Sequence, residues 1–477
     1  MIHFSFNIHR ILAANLSVVV LLLFFSCKEE ASQPENRLEK IREAGKIVAV
    51  TDYNSTNYFI YRGEPMGYQY ELLKRFADHL GLKLDIIANK DLQESFELLK
   101  KGEVDILAFN LTVTEDRRKQ FDFTIPYTQT RQVLVQRKPD NWRSMSKHEI
   151  EKNVIRNQLE LNGKVVYVRA NSSYAQRLRN LNAEIGGGIK IIEKEDYSEE
   201  QLISLVARDE IDYTICDENI AKVNSTYYPD IDVGTAISFS QNVAWGVPKG
   251  ADSLRAAANG WLFSFKNTLD YALIYNKYFR NQKSALIWSS DYYTLSSGKI
   301  TPYDDIIQKY SKDIDWDWRL LASLMYQESR FNPQATSWAG ASGLMQLMPS
   351  VIQRFNVEDK FSPEDNIRGG VEFIGWLQEQ YEKRGLDDEE QRQKFVLAAY
   401  NVGLGHILDA RRLAEKNGKD PDVWDNNVDE FILKKSDPEY YNDEVVYYGY
   451  ARGSETYNYV RQILERYEHY INIVDEE

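Results

Sequence analysis

The hydrophobic period of this chain changes once, near residue 300, and that change limits its fold more than any other feature. Up to about residue 280, short apolar runs alternate with amphipathic stretches. KIVAV (46–50) has the length and composition of a buried strand. GYQYELLKRFADHLG (67–81) follows, with Leu72, Leu73, Phe76, Ala77 and Leu80 at helical spacing and Gly81 as a stop. LKLDIIA, a helix over 92–101 and VDILAF continue the alternation. It restarts after residue 160 with GKVVYV (163–168), a helix beginning in NSSYAQRLRNL, then IKIIE and IDYTIC (211–216). Such alternation predicts parallel, doubly wound sheets, and two successive units predict two lobes. Ligands bind such sheets at the carboxyl ends of strands, so the cleft between the lobes is the expected site. The stretch 234–247 is expected to run back to the first lobe, and one helix across NGWLFSFKNTLDYALIYNKYF to close the unit. Beyond residue 300 only the helical period remains. The expected architecture is multidomain: a two-lobed α/β unit over 37–280, a polar Ser-rich linker over 281–300 and a mainly α module over 301–477.

The first 36 residues read as an address. LSVVVLLLFF (16–25) follows a weakly basic start containing His9 and Arg10. It is too short to span a hydrocarbon core of ~30 Å comfortably, and it has the anatomy of a secretory h-region. The run ends in Ser26-Cys27, followed by the charged, loop-like KEEASQPEN. This resembles a bacterial lipoprotein signal over 1–26. The resemblance implies a lipidated Cys27, a tether over 27–36 and stable membrane attachment. A conventional cleaved signal or a single N-terminal membrane helix are the other readings. The expected location is the bacterial cell envelope, as an outer-membrane lipoprotein facing the periplasm. A net charge of −14 with no long Lys/Arg run argues against a nucleic-acid partner. Two cysteines, and no Cys/His cluster at metal-ligand spacing, lead us to expect no metal and no cofactor.

Within the helical module, DWRLLASLMYQE (317–328) places Leu321, Leu324, Met325 and Glu328 on one face, with Asp317 as an N-cap. A carboxyl that extends an apolar stripe resists ionisation, as a general acid must near neutral pH. A surface Glu at a frayed helix end is the plainer reading. Glu328-Ser329 is followed by GLMQ (343–346), AAYN (398–401) and ETYNYV (455–460). This order and spacing is similar to the catalytic domain of the family 1 lytic transglycosylases, a lysozyme-like fold. The resemblance implies that Glu328 is catalytic, acid and then base. It implies that Ser329 orients Glu328 or the sugar, that Gly343 lets backbone approach the substrate, and that Gln346, Tyr400, Asn401 and Tyr459 contact the glycan. Glycosidases that hydrolyse commonly use two carboxylates, with substrate-assisted exceptions. A single Glu therefore argues for a transglycosylase over a hydrolase, unless Glu364 or Asp365 in FSPEDN lies across the cleft, and the resemblance implies closure of a 1,6-anhydro ring on the muramyl sugar.

AFNLTVTEDRRKQFDFTIPY (108–127), with PMGYQYELLKRFADHLG before it and NGKVVYV and DYTICDENIA after, resembles the family 3 extracellular solute-binding proteins. That implies a periplasmic-binding-protein-like clamp for an amino acid or muropeptide. Arg117 would grip the ligand carboxylate in a two-pronged fork, and Asp217 would hold its ammonium group. Asn110 and Thr112 from the first lobe, and Ser172 and Ser173 at a predicted helix start, would add polar contacts. Arg117 on a solvated face and Asp217 as a helix cap are the plainer readings. Two functions follow from the chain as a whole. The first is a membrane-anchored peptidoglycan lytic transglycosylase with a ligand-sensing clamp. The alternative is a lipid-anchored receptor whose helical module only docks to the cell wall.

Overall fold

The computed structural model describes residues 36–195, 197–280, 294 and 298–474. The leader, Cys27 and most of the 281–300 linker lie outside the described residues.

The two-lobed unit is built on two five-stranded sheets. In the first lobe, Lys46–Thr51 lies parallel to Lys83–Ala88 on one side and to Ile106–Leu107 on the other. Gly246–Val247 then runs antiparallel between Ile106–Leu107 and Asp122–Phe123. In the second lobe, Val165–Arg169 is parallel to Lys190–Lys194 and Tyr213–Asp217. Gln132–Arg137 lies antiparallel to Tyr213–Asp217 and to Ile231–Ala236. The sheets are therefore mixed, not wholly parallel as the alternation predicts. The cause is the double crossing between lobes. Thr128–Thr130 leads out of the first lobe, Gln241–Val243 leads back, and the two pair as an antiparallel ribbon. Each lobe thus receives one strand arriving from the other, and 234–247 does return to the first lobe.

Local chemistry explains the element ends. Tyr68–Leu80 stops at Gly81, whose φ of 70° suits a residue without Cβ. Asp91 caps Leu92–Lys101 by accepting from the Gln93 and Glu94 amides. The single closing helix expected over 259–279 is two helices, Asp252–Phe265 and Leu269–Phe279. The break falls at Thr268, whose hydroxyl accepts from the Tyr271 amide (3.3 Å) and starts a new helix. A cap of this kind contributes ~1 kcal/mol.

The helical module packs Trp318–Ser329 against Asp304–Ser311 and the C-terminal helix Gly453–Ile471, which in turn meets Glu389–Val402, with Leu321, Leu324, Met345, Ile374, Phe395 and Ile463 completely buried. Ten of the twelve residues of Trp318–Ser329 are buried, so this helix is enclosed by neighbours rather than lying on a surface. Asp317 caps it through the Arg319 amide (2.8 Å), as expected. The Ser323 hydroxyl donates to the Ile463 carbonyl (2.7 Å), which fixes it to the C-terminal helix.

The two modules touch through a hairpin of the first lobe, Phe59–Tyr61 with Glu64–Met66. At its turn, Gly63 adopts φ of +77°, and a Cβ there would collide with Tyr326, Tyr470 and Phe331 of the helical module. The Tyr470 hydroxyl donates to the Gly63 carbonyl (2.9 Å), and Asn472 donates to the Ile86 carbonyl (2.7 Å). Tyr58 and His469 share a further hydrogen bond of 2.8 Å.

Candidate functional site

Glu328 sits in the last turn of Trp318–Ser329, half-buried. Burial pushes its carboxyl up to about 7, and the hydroxyl of Tyr459 pulls the other way by donating to Oε1. Among the described residues, no second carboxylate acts on it. Glu364 is turned to Lys309 (2.6 Å), and Asp365 pairs with Arg368 (3.9 Å). The four sequence motifs converge here. Tyr459 of ETYNYV reaches Glu328 directly. Tyr400 of AAYN feels the Glu328 charge and donates to the carbonyl of Met345 in GLMQ (2.7 Å). Thr456 donates to Asn401 Oδ1 (2.8 Å), which holds that amide at the groove.

Several contacts at the site bear on the roles the resemblance implies. Tyr459 bonds the Glu328 carboxyl itself. The Ser329 hydroxyl turns back to the Met325 carbonyl of its own helix (3.2 Å) and does not orient Glu328. Gly343 is packed closely on its own side of the turn. It is buried at φ of +81°, and a Cβ would strike the Asn366 side chain and the Lys360 carbonyl. Asn366 is the residue that sequence reasoning missed. Its Oδ1 accepts from the Met345 amide (2.7 Å), and its Nδ2 donates to the Ser342 and Lys360 carbonyls (3.0 and 2.9 Å). It holds the GLMQ turn in shape. Gln346, at φ of 47°, spends its amide nitrogen on the Ala335 and Gly343 carbonyls (3.1 and 2.9 Å).

The Tyr-rich segment before ETYNYV is pinned from below. Asp409, fully buried, accepts from the Tyr447 and Tyr448 amides (both 2.9 Å) and from Lys435 (2.6 Å). Tyr448 then lies over Gly405, four residues beyond Asn401, while Tyr447 and Tyr450 stay exposed.

In the first module, Asn110, Arg117, Ser172 and Ser173 line one cavity between the lobes. Arg117 is 8% exposed, so it is not on a solvated face. Its guanidinium donates to the Thr112 carbonyl (3.0 Å), and burial lowers its pKa to about 10. Thr112 is buried, and its hydroxyl faces Ser173 (3.5 Å) across the lobes. Ser172 caps Ser173–Glu184 through the Ala175 amide, which uses its hydroxyl locally. Asp217 occupies a cap position without capping. Burial and then Glu199 push its carboxyl up to about 7; Tyr174 faces it, yet neither oxygen has a hydrogen bond of ordinary geometry. Four cavity residues escaped the sequence reading: Asp52, Asn57, Arg169 and Glu199. Two of them left a trace in the sequence, Arg169 at the end of the apolar strand VVYVR and Glu199 beside Glu200 at a helix start.

Comparison with known proteins agrees with this division. Residues 46–281 match the bacterial extracellular solute-binding proteins, family 3, and residues 305–423 match the transglycosylase SLT domain. Membrane-bound lytic murein transglycosylase F of Desulfosudis oleivorans is 35% identical over 437 residues, covering 90% of this chain and 91% of the relative. The protein of the same name from Aeromonas salmonicida is 33% identical, covering 95% and 87%. Among solved structures, holo ArgBP from T. maritima is 21% identical and covers 50% of this chain and 97% of its own, with a TM-score of 0.41. The chain belongs to the membrane-bound lytic murein transglycosylase F family, enzymes in which a helical SLT domain follows a solute-binding-protein domain.

Proposed function

We propose that Glu328 alone carries the proton chemistry of peptidoglycan cleavage and that the product is a 1,6-anhydromuramyl end. The observation that supports this most is the carboxyl's setting among the described residues: burial, a hydrogen bond from the Tyr459 hydroxyl and no acidic partner. A Glu held near pKa 7 is protonated often enough to act as an acid and ionises readily enough to act as a base. Glu328 gives its proton to the bridging oxygen of the MurNAc–GlcNAc β-1,4 bond as that bond breaks. The muramyl N-acetyl oxygen relieves the positive charge developing at the anomeric carbon. Glu328, now ionised and steadied by the Tyr459 hydroxyl, takes the proton of the C6 hydroxyl. That oxygen closes the anhydro ring, and the carboxyl is protonated again. Mass spectrometry of digested peptidoglycan tests this. Anhydromuropeptides from the parent and none from Glu328→Gln are expected. Hydrated reducing ends from the parent would overturn it.

We further propose that the clamp binds an amino acid or muropeptide by its head group. Arg117 takes the carboxylate and Asp217 the ammonium, with Asn110, Thr112, Ser172 and Ser173 around them. The sparsely bonded guanidinium and the unbonded carboxyl support that reading, since buried charges without partners are costly. Ligand binding alters glycan access through the hairpin that meets Tyr326, two residues from Glu328. A lipid on Cys27 holds the enzyme at the outer membrane, facing the periplasm. Saturable binding of wall-derived peptides without any change in cleavage rate would remove the regulatory part.

A further inference from the structure

A row of half-exposed aromatic rings leads away from Glu328. It begins at Tyr400, whose hydroxyl holds the Met345 carbonyl (2.7 Å) and whose ring feels the Glu328 charge. Tyr400 meets Phe373 of the helix Pro363–Glu382, with ring centres 5.2 Å apart. Phe373 lies nearly parallel to Trp376, three residues on (6.0 Å, 13° between planes), because that spacing puts both on one face of the helix. Phe373, Trp376 and Tyr400 pack on the core of the module yet stay half-exposed. The row ends in Arg354, the last residue of the short helix Pro349–Arg354 that follows GLMQ. Its guanidinium lies over the Trp376 ring at 4.2 Å and over the Phe355 ring at 5.5 Å.

Arg354 is exposed, and among the described residues no carboxylate pairs with it. Arg368, on the helix Pro363–Glu382, shows the commoner arrangement, with Glu372 at 2.9 Å and Asp365 at 3.9 Å. An arginine can lie on aromatic rings merely to cover apolar surface. Here the rings also hold the guanidinium in one place, at the end of a row that starts beside Glu328. A guanidinium stacked on a ring keeps its N–H edge free, and that edge fits a carboxylate. The substrate supplies the matching anion. The sugars of a murein strand are neutral once the lactyl group of each muramyl ring is joined to a peptide. The carboxylates then belong to that stem peptide, which leaves the strand sideways from the muramyl ring.

We propose that Arg354, stacked on Trp376 and Phe355, binds a carboxylate of the stem peptide, and that the rings from Tyr400 to Trp376 are the path along which this peptide lies. Arg354 is then a specificity-determining residue: it makes the enzyme prefer glycan that still carries peptide over bare glycan. This deepens the function proposed above and rests on Glu328 as the place of cleavage. A lysine at this position keeps the charge but loses the planar fork and its stacking. The other anion a muramyl ring can offer is its own lactyl carboxylate, set free when the peptide is cut off. That group sits on the sugar, whereas Arg354 stands beyond Phe373 and Trp376.

The test assays the full chain in detergent on two preparations of one murein, the first with its stem peptides and the second stripped of them by an amidase. Bonds cleaved are counted whatever end they carry, so the result is independent of the anhydro product. The readout is kcat/KM on the peptide-bearing material divided by kcat/KM on the stripped material. Arg354→Gln is expected to lower that ratio roughly fivefold or more, through KM rather than kcat, and Arg354→Lys to recover only part of it. Salt screens an exposed ion pair, so the ratio of the parent enzyme is expected to fall as salt rises, a result that does not depend on any variant folding. A ratio that Arg354→Gln leaves unchanged, or a parent ratio indifferent to salt, would overturn the stem-peptide site. A ratio that rises in Arg354→Gln would overturn it too, because the lactyl carboxylate of bare glycan would then be the group that Arg354 holds. Cleavage of both preparations by Glu328→Gln at the parent rate would overturn the Glu328 reading and the stem-peptide site with it.

Discussion

The catalytic groove and the ligand cleft both bury carboxyls, and they surround them in opposite ways. Glu328 is shifted by burial and by the Tyr459 hydroxyl, with no charged partner among the described residues, so its neutral form is comfortable and its pKa rises to about 7. Asp52 is more deeply enclosed; burial raises its carboxyl, and the Arg169 guanidinium gripping both oxygens pulls it back, leaving it at about 6 and ionised at neutral pH. The difference follows from what each site must do. A group that delivers a proton must hold one near neutral pH, and a nearby cation would strip it away. A recognition site works through fixed charge, which survives burial only when paired and hydrogen-bonded. The same physics therefore yields a carboxyl that holds a proton near neutral pH in one module and an ion pair in the other. Between them, Gly63 against Tyr326 is where the first module touches the catalytic helix.

Four variants sharpen or break that contrast. Glu328→Gln removes the proton donor and is expected to lower the rate of muropeptide release by about 10²–10⁴-fold. Arg169→Met strands Asp52 and Glu199, and a cost of about 3–5 kcal/mol is expected in urea denaturation. Glu328→Gln should move the same measurement the other way. The folded state keeps a proton on Glu328 up to about pH 7, whereas the unfolded chain releases it near 4.5. Stability therefore falls as pH rises through that window, each pH unit costing ~1.4 kcal/mol at most. Glu328→Gln escapes this loss, so it is expected to exceed the parent by about 2 kcal/mol at pH 8 and to match it near pH 4. If both variants destabilise alike at pH 8, the contrast between the sites fails. Gly343→Ala forces a Cβ into Asn366 at a positive φ and is expected to cost about 2 kcal/mol, with activity falling as the GLMQ turn shifts. The smallest effect belongs to Tyr459→Phe: roughly a tenfold slower rate, with the alkaline limb of the pH profile moved upward because the carboxylate has lost its donor.

The buried Glu328 carboxyl was legible because its signal is local. Leu321, Leu324 and Met325 lie within two turns of Glu328, and helical spacing alone puts them on one face. Arg117 and Asp217 stood out through the motifs around them. The cleft's ion pair did not, because Arg169 and Asp52 stand 117 positions apart and meet only once two lobes close. The mixed sheets were hidden for a related reason. Strands that cross between lobes are as apolar as those that do not, so Gln132–Arg137 and Gly246–Val247 gave no sign of their direction. Gly343 shows a different failure. Its positive φ was consistent with the expected role, but the group pressed against it is Asn366, and nothing in the sequence says what a glycine's missing Cβ makes room for.

The most direct test of the central claim is the pH dependence of kcat/KM for glycan cleavage, followed from about pH 5 to pH 9. A single acid, neutral because it is buried, predicts a rate that is highest on the acid side and falls with a midpoint near 7. A rate that climbs through the same window would mean that Glu328 must be ionised to start the reaction, and the proposed proton donation would be wrong.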